Sequence, residues 1–217
     1  WGRIQENVGG NFVGRLAYNM LSPGFYSEER VTELDSEISR VYEATGDKAV
    51  LPSSSYGVKS FTVDGSDRPL TAEENTQFSI TKGQASYALA SEIIKSPAYG
   101  DLPDADKAGV IADIYKYATA IAKQRVDPEY SPESWVEKAK RSPLGVPNYI
   151  LRRYEYNSIE PVQDKDGKTL ESATDIYRQA LLGDSSLSAS QKHTIDQEII
   201  GNKTIPDYSS KDSFLLS

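Results

Sequence analysis

The chain has 217 residues, a length that fits one large domain or two small ones. With 32 acidic and 24 basic residues its net charge is -8, which disfavours non-specific binding to phosphate backbones. It has no cysteine, which excludes disulfides, thiolate catalysis and zinc sites with cysteine ligands, and no apolar run reaches the ~18 residues of a membrane-spanning helix.

The first residues have the spacing of a helix that is entered midway. Ile4, Val8, Phe12 and Leu16 recur every four residues directly after Trp1. We therefore interpret Trp1 as a point of processing or truncation in a longer protein. Three glycines between residues 9 and 14 weaken the predicted helix at 7–21, since each costs about 1 kcal/mol in a helix interior.

Residues 27–46 have the pattern of an amphipathic helix. Ser27 is a favoured N-cap residue, and Gly46 is a stop signal. The apolar face between them comprises Val31, Leu34, Ile38, Val41 and Tyr42.

A small β-hairpin is predicted next. Phe61 and Val63 alternate with polar residues and precede Asp64-Gly65, a pair that is typical of hairpin turns. Pro69 restricts the returning strand to a sheet edge or a short arm.

The centre of the chain predicts two long helices. Thr71 and Glu74 have the spacing of a capping box and begin a helix that runs to about Lys95. Ser96-Pro97 ends it, and Asp104 begins a second helix with an apolar stripe from Val110 to Ile121. Because the connection is short, we expect an antiparallel pair, and several alanines favour close packing of its axes.

Shorter elements follow a boundary predicted at about residues 126 to 131. Helices are expected from Ser131 to Arg141, from about Asn148 to Tyr154, from Ser172 to Leu182, and from the capping box at Ser188 to Gly201, with a turn at 164–167. The predicted fold is mainly α, an irregular helical bundle around a long antiparallel helix pair, with one small β-hairpin. The predicted domains are 1–126, with the hairpin and the helix pair; 127–201, with the shorter helices; and an extended tail at 202–217.

Two short patterns resemble catalytic motifs but lack essential parts. Ser79 and Lys82 have the Ser-x-x-Lys spacing, yet the companion motifs of that chemistry are missing, so we expect a solvated helix face. Gly167-Lys168-Thr169 resembles the end of a phosphate-binding loop, but Val162 stands where its first glycine is required. No catalytic residue is therefore assigned.

Metal and cofactor sites also lack support in the sequence. Asp164 and Asp166 before Gly167 resemble part of a calcium loop, but Val162 and Ala173 occupy two of its main ligand positions. His193 is the only histidine, and we expect it to be solvated on the last helix. We predict no metal, no cofactor and no enzyme activity.

One catalytic alternative needs neither histidine nor cysteine. A glycosidase uses two carboxyl groups that flank a cleft, and aromatic side chains often bind its sugar. The 14 tyrosines and two tryptophans keep open a carboxylate-based hydrolase acting on cell-wall or capsule glycans. No acid lies in an apolar strand end or loop that would raise its pKa, and most acids fall in capping turns or on exposed helix faces, so the sequence favours a structural or binding module.

Two segments are candidate interaction sites. The first is a basic cluster with aromatic neighbours, where nucleic acid or an acidic partner could bind, although a solvated helical surface explains the same pattern. The second is the apolar end of the tail, which could anchor the chain to another protein or remain disordered. The candidate residues are Trp135, Lys138, Lys140, Arg141, Tyr149, Arg152, Arg153, Phe214 and Leu215.

Several segments together resemble the C-terminal region of very large bacteriophage virion-associated proteins, of the internal or polyvalent type. The resembling segments are 70–74 (LTAEE), Gly83, 94–99 (IKSPAY), 102–108 (LPDADKA), Ala118 and Ala122-Lys123. Segments 33–42, 50–52, 164–169 and 188–192 agree with it.

This resemblance implies a component of the phage particle, carried inside the head or ejected with the genome. It assigns no catalytic residue. The expected partners are other virion proteins or copies of the chain itself, and the acidic charge departs from a DNA-coating role. A virion location and protein–protein contacts through tyrosine-rich helix faces are therefore the expectation.

Overall fold

The structure, a computed structural model, describes residues 28–52, 60–63 and 66–201. The predicted segment 7–21, Ser27, the Asp64-Gly65 turn and the tail with Phe214 and Leu215 lie outside these residues. The described part is mainly α, as predicted. Contacts divide the chain into one compact unit up to Val136 and another from Glu137, a border later in the chain than the one predicted at 126 to 131.

Within the described residues, the first unit has four α-helices, one hairpin and the start of a fifth helix. In chain order these are α1 (Glu28–Thr45), a 3-10 turn (Lys48–Val50), β1 (Ser60–Val63), β2 (Ser66–Pro69), α2 (Ala72–Ile93), α3 (Pro97–Gly100), α4 (Asp104–Val126) and α5 (Ser134–Arg141). The helices α2 and α4 pack closely together and form the predicted long pair. The border between the units lies within α5.

Helix α2 begins at the predicted capping box. The backbone N–H of Glu74 donates to the Thr71 hydroxyl at 3.1 Å, and the Thr71 N–H donates to the Glu74 carboxylate at 2.9 Å. The first N–H groups of a helix have no carbonyl partner within the helix, and these two hydrogen bonds satisfy two of the backbone N–H groups at its start. The residues of the capping box therefore determine where α2 begins.

One buried cluster of the first unit lies where α1 and the 3-10 turn cover α4. Val41 and Val50 pack there against Ala108 and Ile111 of α4. Burial of a large aliphatic side chain contributes about 1.5–3 kcal/mol, so this cluster helps to attach α1 to α4. At its edge Arg40 pairs with Asp104 at 2.8 Å.

The β1–β2 hairpin pairs Phe61 with Arg68. The buried Phe61 ring stacks on Phe78 of α2, with centroids 6.5 Å apart. The Arg68 guanidinium and the Lys123 ammonium lie 5.7 and 5.6 Å from the centre of the same ring. These contacts hold the hairpin on its own unit.

The second unit continues with α6 (Val146–Asn157), β3 (Val162–Gln163), β4 (Thr169–Glu171), α7 (Ala173–Gly183), α8 (Ala189–Ile195) and a π-helical turn (Asp196–Ile200). Tyr177, Leu181 and Ile195 form its buried centre. The predicted caps of α7 and α8 are present, since Ser172 accepts from the Asp175 N–H, and Ser188 and Gln191 form a capping box. Gly201 ends the turn with a φ of +73°, in the left-handed region that favours glycine.

The turn predicted at 164–167 is present, and it joins a second two-stranded antiparallel hairpin, β3–β4. Two other expectations need correction. Lys82 is buried rather than solvated, because the face of α2 that bears it also carries the buried Phe78 and Ser86. His193 is half-buried with its Nδ1 atom covered, so it is not a freely solvated imidazole.

The described helices do not include one with the length and apolar character of a membrane span.

Candidate interaction surface

The β3–β4 hairpin has a turn organised by one carboxylate. Oδ1 of Asp164 accepts hydrogen bonds from the N–H groups of Asp166 and Lys168, both at 2.9 Å. The Asp164 N–H donates to the Lys168 carbonyl at 2.9 Å, and Gly167 adopts a φ of +78°. Five residues thus form a fixed turn, which gives this short sheet a defined end.

Two apolar side chains are exposed on the strands of this hairpin. Val162 is 47% exposed and Leu170 is 65% exposed. Val162 pairs with Glu171 and Gln163 with Thr169, so Leu170 is the extra residue of a bulge. An exposed apolar pair on a strand edge is a feature that a partner protein can cover.

The hairpin is attached to the helix that follows it. The Gln179 side-chain amide donates to the Glu171 carboxylate at 2.8 Å, across from β4 to α7. Ser172 links the two elements directly, because it follows β4 and caps α7. The exposed strands are therefore attached to α7 by a side-chain hydrogen bond and by the residue that caps this helix.

The segment that contains these two apolar residues is acidic in sequence. Residues 160–175 contain five acidic and two basic side chains, a surplus of three negative charges. This surplus has the same sign as the net charge of -8 of the whole chain. The hairpin surface thus combines apolar contact area with negative charge.

The predicted basic cluster is partly neutralised by its own helix. On α5, Glu137 accepts from Lys140 at 3.1 Å and from Arg141 at 3.3 Å, and Lys138 is exposed. Such exposed pairs contribute little stability, but they offset the positive potential that a phosphate would meet.

The remaining predicted residues have structural contacts. Tyr149 on α6 is buried, and the ring of Trp135 lies 6.5 Å from Tyr117 in the first unit. Arg152 bridges Glu155 at 3.0 Å and Asp184 at 3.7 Å, and the nearby Arg153 is half-buried. The structure thus brings Arg152 together with two acids of its own unit.

Of the ten tyrosines in the described part of the chain, four are buried and six are half-buried. Tyr99 and Tyr117 are buried in the first unit, and Tyr149 and Tyr177 in the second. The Tyr99 hydroxyl donates to Glu37 at 2.9 Å, and burial raises the pKa of this phenol. Tyr99 therefore fills space in the first unit and donates to a carboxylate, while docking through tyrosine-rich helix faces stays a prediction.

Among the described residues, no three or more histidine, aspartate or glutamate side chains cluster as metal ligands. The exposed Val162 and Leu170 were not among the predicted site residues. The signal for them is weak, because strands of two and three residues are too short to show an alternating pattern.

Comparison of this chain with protein-family models, with curated proteins and with solved structures finds no match.

Proposed function

We propose that this chain is a structural module of a bacteriophage virion protein that acts through protein–protein contacts. We further propose that its β3–β4 hairpin binds another protein of the particle. The observation that carries the proposal is the exposure of Val162 and Leu170 on a hairpin with a fixed turn. A rigid apolar element loses little conformational entropy when a partner covers it. The virion assignment itself depends on the resemblance of segments 70–74, 94–99 and 102–108.

The charge around the hairpin favours a different protein over a second copy. Two copies would bring together two acidic surfaces, each with three surplus negative charges over 160–175. Like charges in apposition oppose association, whereas a partner with an apolar recess and basic rim would be attracted. The proposed partner is therefore a protein with lysine or arginine around an apolar recess.

The hydrolase alternative has less support from the described acids. A glycosidase general acid needs a raised pKa and access to a cleft. Glu155 and Asp184 flank Arg152 instead, and hydrogen bonds from Ser186, with the Arg152 charge, lower the pKa of Asp184. The pKa of Asp35 is raised to about 7, but this carboxyl is buried on α1.

The test is site-specific photocrosslinking in assembled particles. A photoreactive residue at Leu170 should give one discrete crosslink to another virion protein, while the same residue at Ile80, an exposed apolar position of the first unit, should not. Absence of the chain from purified particles would refute the virion assignment. A crosslink only between copies of the chain would refute the proposed partner, and hydrolysis of cell-wall or capsule glycans by the purified chain would favour the alternative.

A further inference from the structure

The interface between α1 and α4 contains a carboxyl group with an unsatisfied oxygen. Asp35 is only 6% exposed, and it lies between the buried residues Leu34 and Ile38 in sequence. Its Oδ1 atom is buried and has no hydrogen-bond partner among the described residues. A buried carboxylate without compensating bonds is costly, and the protonated form avoids most of that cost.

Among the described residues, no charge acts on the Asp35 carboxyl strongly enough to offset its burial. Burial raises the pKa of Asp35 to about 7, and it also raises the pKa of the Tyr115 phenol on α4, which the Asp35 charge raises further. On α2 the buried ammonium is Lys82, whose pKa is lowered by burial. Among the described side chains, the other charged groups of α1, of the first half of α4 and of the 3-10 turn are Glu37, Arg40, Glu43, Lys48, Asp104, Asp106, Lys107, Asp113 and Lys116.

The two halves of α1 are attached differently. The C-terminal half makes two polar contacts with other elements of the unit, Arg40 with Asp104 at 2.8 Å and the Tyr99 hydroxyl with Glu37 at 2.9 Å. Val41 adds apolar packing against α4 in the same half. The half that precedes Glu37 contains Asp35, so ionisation of this carboxyl acts on the first turns of the helix.

We propose that Asp35 is a proton-dependent latch, which holds the N-terminal half of α1 on α4 when it is protonated and releases that half when it ionises. The direction of the pH effect follows from the difference between the Asp35 pKa in the packed state and in the released state. Above pH 3.8 the carboxyl ionises in the released state but not in the packed state, so the packed state loses stability as the pH rises. The loss levels off above pH 7, where the packed form has ionised as well.

Hydrogen exchange of the α1 amides tests the latch. After correction for the intrinsic exchange rate, the opening constant of amides 32–38 should rise about tenfold per pH unit between about pH 4 and 7, which is about a thousandfold in total. Asp35→Asn should abolish this rise and leave the amides of 41–45 unchanged. If folding of that variant fails, Asp35→Leu provides the same comparison.

A matched variant separates the latch from general pH effects. Asp113→Asn removes another buried carboxyl of the same unit, one that has Lys116 at 3.4 Å, and it should keep the pH dependence of the wild type at amides 32–38. Parallel pH profiles for the wild type and Asp35→Asn would overturn the proposal. Equal changes at amides 41–45 would also overturn it, because the release would then involve the whole helix.

Discussion

Arg178 and Asp196 form a buried ion pair within the second unit. Nε of Arg178 donates to Oδ1 of Asp196 at 2.7 Å, and the Asp196 side chain is fully buried. The pair joins α7 to the first residue of the π-helical turn. A π-helical turn often marks a functional or strained position in a helix, and here it begins at Asp196, the residue that accepts the hydrogen bond from Arg178.

Removal of one member of this pair should strongly destabilise the second unit. Asp196→Ala leaves the Arg178 guanidinium in a largely buried place without its partner, which should lower the free energy of unfolding by about 3–5 kcal/mol. Urea denaturation would measure the loss. Glu137→Ala is the control, because its Arg141 partner is mostly exposed and the loss should stay below about 1 kcal/mol. A similar loss in both variants would contradict the burial of the pair.

The cap of α8 gives a second stability prediction. Ser188→Ala removes the hydroxyl that accepts from the Gln191 N–H, and should cost about 1 kcal/mol of unfolding free energy. Ser190→Ala changes an exposed serine inside the same helix and should be neutral or slightly stabilising. Thermal unfolding of the two variants distinguishes a cap effect from a general effect of losing a serine.

The turn of the β3–β4 hairpin makes a third prediction. Gly167→Ala introduces a Cβ at a φ of +78°, which should destabilise the hairpin by about 1 kcal/mol. Gly83→Ala lies within α2, where an added Cβ meets no atom within 4 Å, and should stabilise the chain by about 0.5–1 kcal/mol. If both substitutions have the same sign, the backbone conformation of the turn is not the one described.

The exposed apolar residues of the hairpin should matter for binding rather than for folding. Leu170→Lys replaces a side chain that is 65% exposed, so the free energy of unfolding should change by less than about 0.5 kcal/mol. Incorporation of the chain into particles should nevertheless fall, as measured by mass spectrometry of purified particles. Normal incorporation of a stable Leu170→Lys variant would contradict the role of the hairpin.

The stability of the first unit should fall at acidic pH because of Glu74, which pairs with Arg68 of the β1–β2 hairpin. The hydrogen bond from Arg68, at 2.7 Å, and that from the Thr71 backbone lower the pKa of Glu74. A carboxyl with a lowered folded-state pKa contributes stability at neutral pH that is lost as the pH falls through that pKa. Glu74→Gln should therefore make the decline in melting temperature between pH 6 and 3 shallower than in the wild type.

Local features of the fold could be predicted, because a few neighbouring residues determine them. The capping boxes at Thr71 and Ser188 each require a side chain and a backbone group three residues apart, so they can be read directly from the sequence. The long helix pair also follows from periodicity and a short connection. These predictions are confirmed.

Features that depend on tertiary contacts could not be predicted in the same way. Lys82 is polar by type but lies on the face of α2 that packs inward, and periodicity does not reveal which polar residue shares that face. Asp35 is likewise an acid within an apolar stripe. The basic cluster was visible in sequence, but its pairing with Glu137, Glu155 and Asp184 depends on helix register and on distant parts of the chain.

The turn at Asp164 has a consequence for the conditions in which the hairpin keeps its shape. An acidic loop commonly needs a bound cation to draw its oxygens together. Here two N–H groups of the turn itself occupy Oδ1 of Asp164. Chelators, or a move from a calcium-rich medium into a calcium-poor one, should therefore leave the hairpin's geometry intact.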